Sequence, residues 1–155
     1  MKTVVLLIIC GCVFYIGCLF TAYYKRKLQI FSDLIKLCDL LESQIKFKKE
    51  LVPNILLNNK KLFCSDFNML IDELYFKSSK QNIGYLLTDN ELKIVQQFFD
   101  SIGMLDVDNE INNLKANSEN FKSILNDLKT NKNGVGELGI KLGALMSILI
   151  FIIFI

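Results

Sequence analysis

The feature that most constrains this chain is a pair of apolar runs, one near each end. Residues 138–155, LGIKLGALMSILIFIIFI, hold one charged side chain, Lys141. A helix of that length spans roughly 27 Å at about 1.5 Å per residue, close to the roughly 30 Å of a bilayer's hydrocarbon core. Lys141 stands near the start of the run, where its ammonium reaches the interface by snorkelling. Residues 3–24 hold no charge and close on Tyr23 and Tyr24, followed by Lys25, Arg26 and Lys27. Tyrosines suit the headgroup region, and a basic cluster behind an apolar run stops transfer. A cleaved signal peptide is the competing reading, but the run is long and no small-residue cleavage site closes it, so an uncleaved anchor is expected. A soluble core helix is the other alternative. Helices apolar on every side are uncommon in a chain of 155 residues.

Flanking charges predict the orientation. Lys25, Arg26 and Lys27 follow the first run and only Lys2 precedes it; Lys129 and Lys132 approach the second run from the same side. An excess of Lys and Arg marks the cytoplasmic face. The expectation is therefore a cell-membrane protein with two spanning helices, 3–24 and 138–155, a cytoplasmic helical domain over 28–133, and both termini across the membrane.

That middle region reads as all-α. Phe31, Leu34, Cys38, Leu41 and Ile45 step by three and four, with Ile30, Leu37 and Leu40 widening the face. With no Gly or Pro between Cys18 and Leu51, the first apolar helix is expected to run on into this one. Pro53 suits the first turn of a short segment through Lys60, and Ser65 is placed as cap of a helix carrying Phe67, Leu70, Ile71 and Leu74. Thr88 to Glu91, TDNE, is a capping box; behind it Leu92, Val95, Phe98, Phe99 and Ile102 face inward, and Gly103 stops the helix. Val107, Ile111, Leu114, Ser118, Phe121, Leu125 and Leu128 then alternate four and three. A coiled coil is one outcome of that pattern; packing back on the first helix as a bundle is preferred. Gly134 and Gly136 are expected to break the helix before the closing run. The fold class is a small all-α bundle flanked by one transmembrane helix at each end.

The residues needed for chemistry are missing. The chain has no histidine, which removes the usual triads and most zinc sites. Five cysteines show no metal-ligand spacing. No Gly-rich phosphate loop is present, and Asp33, Asp39, Glu42, Asp72, Glu73, Asp100 and Glu119 read as solvated faces. A net charge of +2 argues against nucleic acid as a partner. The expectation is no enzyme, no cofactor and no metal.

Three stretches carry a resemblance. Residues 40–47, LLESQIKF, resemble the L-E-x-x-I pattern near the start of the domain in the stage III sporulation protein AB family. Residues 101–106, SIGMLD, resemble that family's L-G-x-S-D followed by a Gln: Gly103 and Asp106 match, Leu105 replaces the Ser, and Glu110 stands at the Gln position. Residues 138–155 are similar to its closing L-G-x-x-x-G and leucine-rich tail. The resemblance implies a subunit of the channel complex linking mother cell and forespore. It further implies a soluble domain similar to those of type II secretion and type IV pilus platform proteins, set over a cytosolic hexameric secretion-type ATPase. Without it, the chain reads as a two-helix membrane adaptor for a cytosolic partner, or as a platform-like protein of another secretion or pilus system.

Two sets of site residues follow. Gly103, Asp106, Asp108 and Glu110 form a candidate partner surface at the turn; capping of orphan helix N–H groups is the alternative, above all for Asp106. Gly139, Gly143 and Ser147, four apart, form a candidate membrane helix-packing face. Its partner is either this chain's first helix, where Gly11 and Gly17 offer a counterpart, or a neighbouring subunit.

Overall fold

The computed structural model describes residues 2–48, 51–78 and 83–154, with the side chains of 2–8, 48, 83–84, 131–140, 151 and 153–154 outside the description. Regular structure among the described residues is helical throughout: α1 (Lys2–Lys48), α2 (Val52–Asn58), α3 (Ser65–Leu74), α4 (Asp89–Ser101) and α5 (Val107–Phe154), with short 3-10 turns at Lys60–Leu62 and Ile83–Leu86. The chain divides into two compact units. One is Lys27–Leu125; the other combines Met1–Arg26 with Asn126–Ile155.

The unit Lys27–Leu125 is a helical bundle around aromatic rings. Phe31, Leu34, Leu37, Cys38, Leu41 and Ile45 of α1 are buried, as their spacing predicts, while Leu40 is only half-buried. Phe121 of α5 packs its ring 5.1 Å from Phe98 of α4 and 6.4 Å from Phe31 of α1. One side chain thus joins three helices, a bundle contact rather than a two-helix seam. Each fully buried ring contributes about 1.5–3 kcal/mol over leaving it in water. Along α5 the inward stripe starts later than expected: Leu114, Ser118 and Phe121 are buried, but Val107 is 45 % exposed.

Caps fix where the short helices begin. The capping box forms as its residues imply, with Glu91 N–H donating to Thr88 Oγ1 and Thr88 N–H donating to Glu91 Oε2 at 2.7 Å. The same Oε2 takes Lys27 Nζ at 2.7 Å, and both side chains are largely buried. Lys27, read as part of the basic stop-transfer cluster, is therefore paired within the bundle. The cap of α3 is Cys64, whose Sγ accepts from Phe67 N–H, and Ser65 is the first helical residue instead. Asp33 is also corrected: it is fully buried, not on a solvated face. Its Oδ2 accepts from Cys64 N–H at 2.9 Å, and its Oδ1 accepts from Lys36 at 2.9 Å and Gln29 at 3.1 Å. Burial pushes this carboxyl up, but the Cys64 amide and then Lys36 outweigh it and hold it below the usual carboxylate value.

The helix α1 runs unbroken from Lys2 to Lys48, as the lack of Gly and Pro predicts. The Tyr24 hydroxyl donates to Leu128 O at 2.8 Å. Contrary to the expected hinge, α5 continues through Gly134 and Gly136. An interior glycine costs about 1 kcal/mol against alanine, a small penalty beside a helix already propagating on both sides. Among the described residues no helix is long and apolar enough to cross a membrane. The runs 3–24 and 138–155 each include residues whose side chains lie outside the description.

Candidate functional site

The α4–α5 turn builds a clasp from two of the expected site residues. Gly103 adopts φ +80°, a left-handed conformation that a side chain resists, and a Cβ there would lie 3.4 Å from Val52 Cγ2. Glu110 folds back so that its Oε1 accepts from Gly103 N–H at 3.1 Å, while its own N–H donates to Asp106 O at 2.8 Å. Only 2 % of Glu110 is exposed, which corrects its reading as a surface carboxylate. Asp106 and Asp108 are exposed. The Asp106 carboxylate accepts from the side-chain amide of Asn109 at 2.6 Å. Of the three carboxylates read together at this helix start, two face solvent and one holds the turn.

Behind the clasp lies a pocket of about 490 Å³, within the size range of ligand and side-chain clefts. Ile45 of α1, Val52 and Pro53 of α2, Tyr75 after α3 and Ile102 wall it, and Glu110 lines it too. Glu110 Oε2 is buried without a hydrogen-bond partner among the described residues. Burial, and then the Glu110 carboxylate, push the Tyr75 hydroxyl above its ordinary value. At the mouth, Met104 is 80 % and Leu51 71 % exposed. Sequence reasoning missed this pocket because its walls come from four separate stretches of chain. The one local sign was Glu110 itself, a carboxylate lying seven residues after a helix-stopping glycine.

The cysteines carry no nucleophile in this unit. Burial, then Asp39, push the Cys38 thiol up to about 12, and burial foremost takes Cys64 up to about 11. Both stay protonated at neutral pH. Among the described residues no cluster of His, Cys, Asp or Glu is arranged to hold a metal ion.

The second candidate face lies in the other unit. Gly143 is buried, and a Cβ on it would meet Gly17 Cα at 3.5 Å, Val13 O at 3.6 Å and Phe14 Cα at 3.7 Å. One turn on, Ser147 O accepts from Cys10 Sγ at 3.3 Å. Both contacts are with this chain's own first helix. Gly11, expected as a counterpart, has no atom within 4 Å of a Cβ position. Gly139 lies outside the described side chains.

These features define an all-helical protein whose first and last helices pack by close backbone approach, with a separate bundle that presents a pocket. The family model described as stage III sporulation protein AB matches residues 75–155, and the chain belongs to that family. The match takes in the SIGMLD turn and the closing run; the LLESQIKF stretch lies outside it. The chain matches no curated protein and no solved structure.

Proposed function

We propose that this protein is a non-enzymatic membrane platform subunit of the sporulation channel between mother cell and forespore, coupling a cytosolic secretion-type hexameric ATPase to the membrane assembly. The observation that carries the membrane half is the inverted burial of the unit Met1–Arg26 with Asn126–Ile155. There Tyr15, Ile16, Leu19, Leu145, Ile148 and Ile152 are each more than half exposed, while the buried positions include small residues such as Cys10, Thr21 and Gly143. Large apolar side chains facing out and small ones facing in suit lipid as the surrounding solvent. Membership of a sporulation family supports the channel role and disfavours an adaptor with no part in sporulation. The bundle then faces the mother-cell cytoplasm, both termini lie across the membrane, and the other channel subunits are its lateral partners.

In this reading the bundle meets the motor, and α1 and α5 transmit or brace the load. Exposed Asp108 beside the α4–α5 turn is the contact most open to test. With the full-length protein and a cytosolic secretion-type ATPase from the same organism, Asp108→Lys is expected to leave the unfolding transition unchanged and to weaken co-purification of the ATPase about tenfold. Undiminished co-purification, with normal spore formation, would remove the motor contact from this face.

A further inference from the structure

We infer that the α1–α5 pair binds the phosphate of an anionic phospholipid between Lys25 of α1 and Lys129 of α5, where α1 leaves its apolar run. The inference rests on the membrane reading proposed above and adds which class of lipid the protein holds.

The Tyr24–Leu128 hydrogen bond fixes which stretches of the two helices stand beside each other. They run antiparallel: Gly143 meets Val13, Phe14 and Gly17, while Ser147, further along α5, meets Cys10, earlier on α1. One residue turns a helix by about 100°. In an antiparallel pair, the same forward step on each helix leads to the same flank of the seam. Lys25 is one step on from Tyr24, and Lys129 is one step on from Leu128, so both stand on one flank at neighbouring levels. Asp127, one step back from Leu128, turns the other way. Its negative charge is thereby kept off the two lysines.

Both lysines are exposed, and neither makes a hydrogen bond or ion pair among the described residues. Lys27, two residues after Lys25, is instead taken by Glu91. Two cations on one flank attract an anion, and a leaflet that contains anionic lipid supplies it at the membrane surface. What lies beside them selects a lipid over a soluble anion. Counting back from Lys25 by three, four and four, the same flank of α1 carries Ala22, Cys18 and Phe14, each exposed or half-buried. A phosphate at the lysines therefore has an apolar strip next to it for an acyl chain. A soluble anion gains nothing from that strip, whereas a lipid is held at both ends.

The test uses the full-length chain in lipid nanodiscs, with a nitroxide on the acyl chain of phosphatidylglycerol or of phosphatidylcholine as the probe. Electron spin resonance separates label held at the protein from label in bulk lipid. The phosphatidylglycerol label is expected to be held about fivefold more strongly, the effect of roughly one lysine at a charged surface. Lys25→Gln with Lys129→Gln changes two exposed side chains. The thermal transition should hold while the preference falls to within about twofold of parity. Lys61→Gln with Lys93→Gln, a control of equal charge at exposed bundle positions, should keep the preference. No preference in the native sequence, a preference untouched by the first double change, or an equal fall in the control would each overturn the proposal. So would displacement of the label by millimolar glycerol 3-phosphate, which would make the site one for soluble phosphate. If the chain stays out of the nanodiscs, the membrane reading falls and this site falls with it. If it inserts and holds both lipids alike, the site falls and the membrane reading stands.

Discussion

The two units of this protein solve opposite packing problems. In Lys27–Leu125 the largest side chains are inside: Phe31, Phe67, Phe98 and Phe121 are almost fully buried, and the buried charges Lys27 and Asp33 are paired. In the unit built from Met1–Arg26 and Asn126–Ile155, Phe14, Tyr15, Ile16 and Leu149 are outside, and Gly143 sits against Gly17. Water rewards the first arrangement by expelling apolar surface. It does not reward the second, in which association depends on van der Waals contact at short backbone distance. One α-helical chain therefore carries two stability rules, and a substitution has a different meaning on each side.

The largest break in the comparison should come from removing a ring. Phe121→Ala leaves a cavity between Phe31 and Phe98 and is expected to destabilise the bundle by about 3–5 kcal/mol in chemical denaturation. Leu149→Ala removes a side chain already 51 % exposed and should leave that transition in place. Equal losses from the two would mean that the units share one packing rule.

Gly143 sharpens the other half. Alanine fits, because a Cβ there meets its neighbours at ordinary contact distance. Isoleucine adds branches directed at the backbone of Gly17 and Val13, an overpacking of about 1–3 kcal/mol. On the proposed platform role, Gly143→Ile should insert but lose channel assembly and spore formation, while Gly143→Ala sporulates normally. Identical behaviour of the two variants would leave the close approach without a role.

A smaller effect is expected at Asp33, where the bundle follows its own rule for polar groups. Asp33→Ala strands the Cys64 N–H and should cost about 1–3 kcal/mol. The pH sign follows from a folded pKa held below the ordinary carboxylate value. Its stabilisation is complete above the unfolded value, near pH 4, and is lost as pH falls through the lower folded value. Unfolding followed from pH 6 to pH 2 should show that decline in the native sequence and a shallower one in Asp33→Asn.

What was legible in the sequence was local. The Thr88–Glu91 box and the Gly103 stop each depend on residues within one turn, and both lie where their pattern puts them. The α1 seam was readable because a period near 3.6 needs no knowledge of the partner helix. The misreadings share a cause. Asp33 and Glu110 look solvated because carboxylates usually are, but each is held by a backbone N–H that only the folded chain brings to it. Cys64 displaced Ser65 as a cap by a single position, since a thiol ranks below a hydroxyl in any list of cap residues yet stood where the chain turned. Gly134 and Gly136 looked like a break because propensity counts each residue alone, whereas α5 propagates from both sides. The pocket was invisible because no stretch of sequence contains more than part of its wall.

The bond from Cys64 N–H to Asp33 also sets how the bundle opens. The first turn of α3 cannot fray outward without exposing a carboxylate that α1 keeps dry, and α1 cannot shift there without stripping a donor from α3. Separate breathing of the two elements is suppressed, and they belong to one cooperative unit in native-state hydrogen exchange. The Cys64 amide, although it lies at a helix end where exchange is normally fast, should then exchange only as rarely as the bundle itself unfolds.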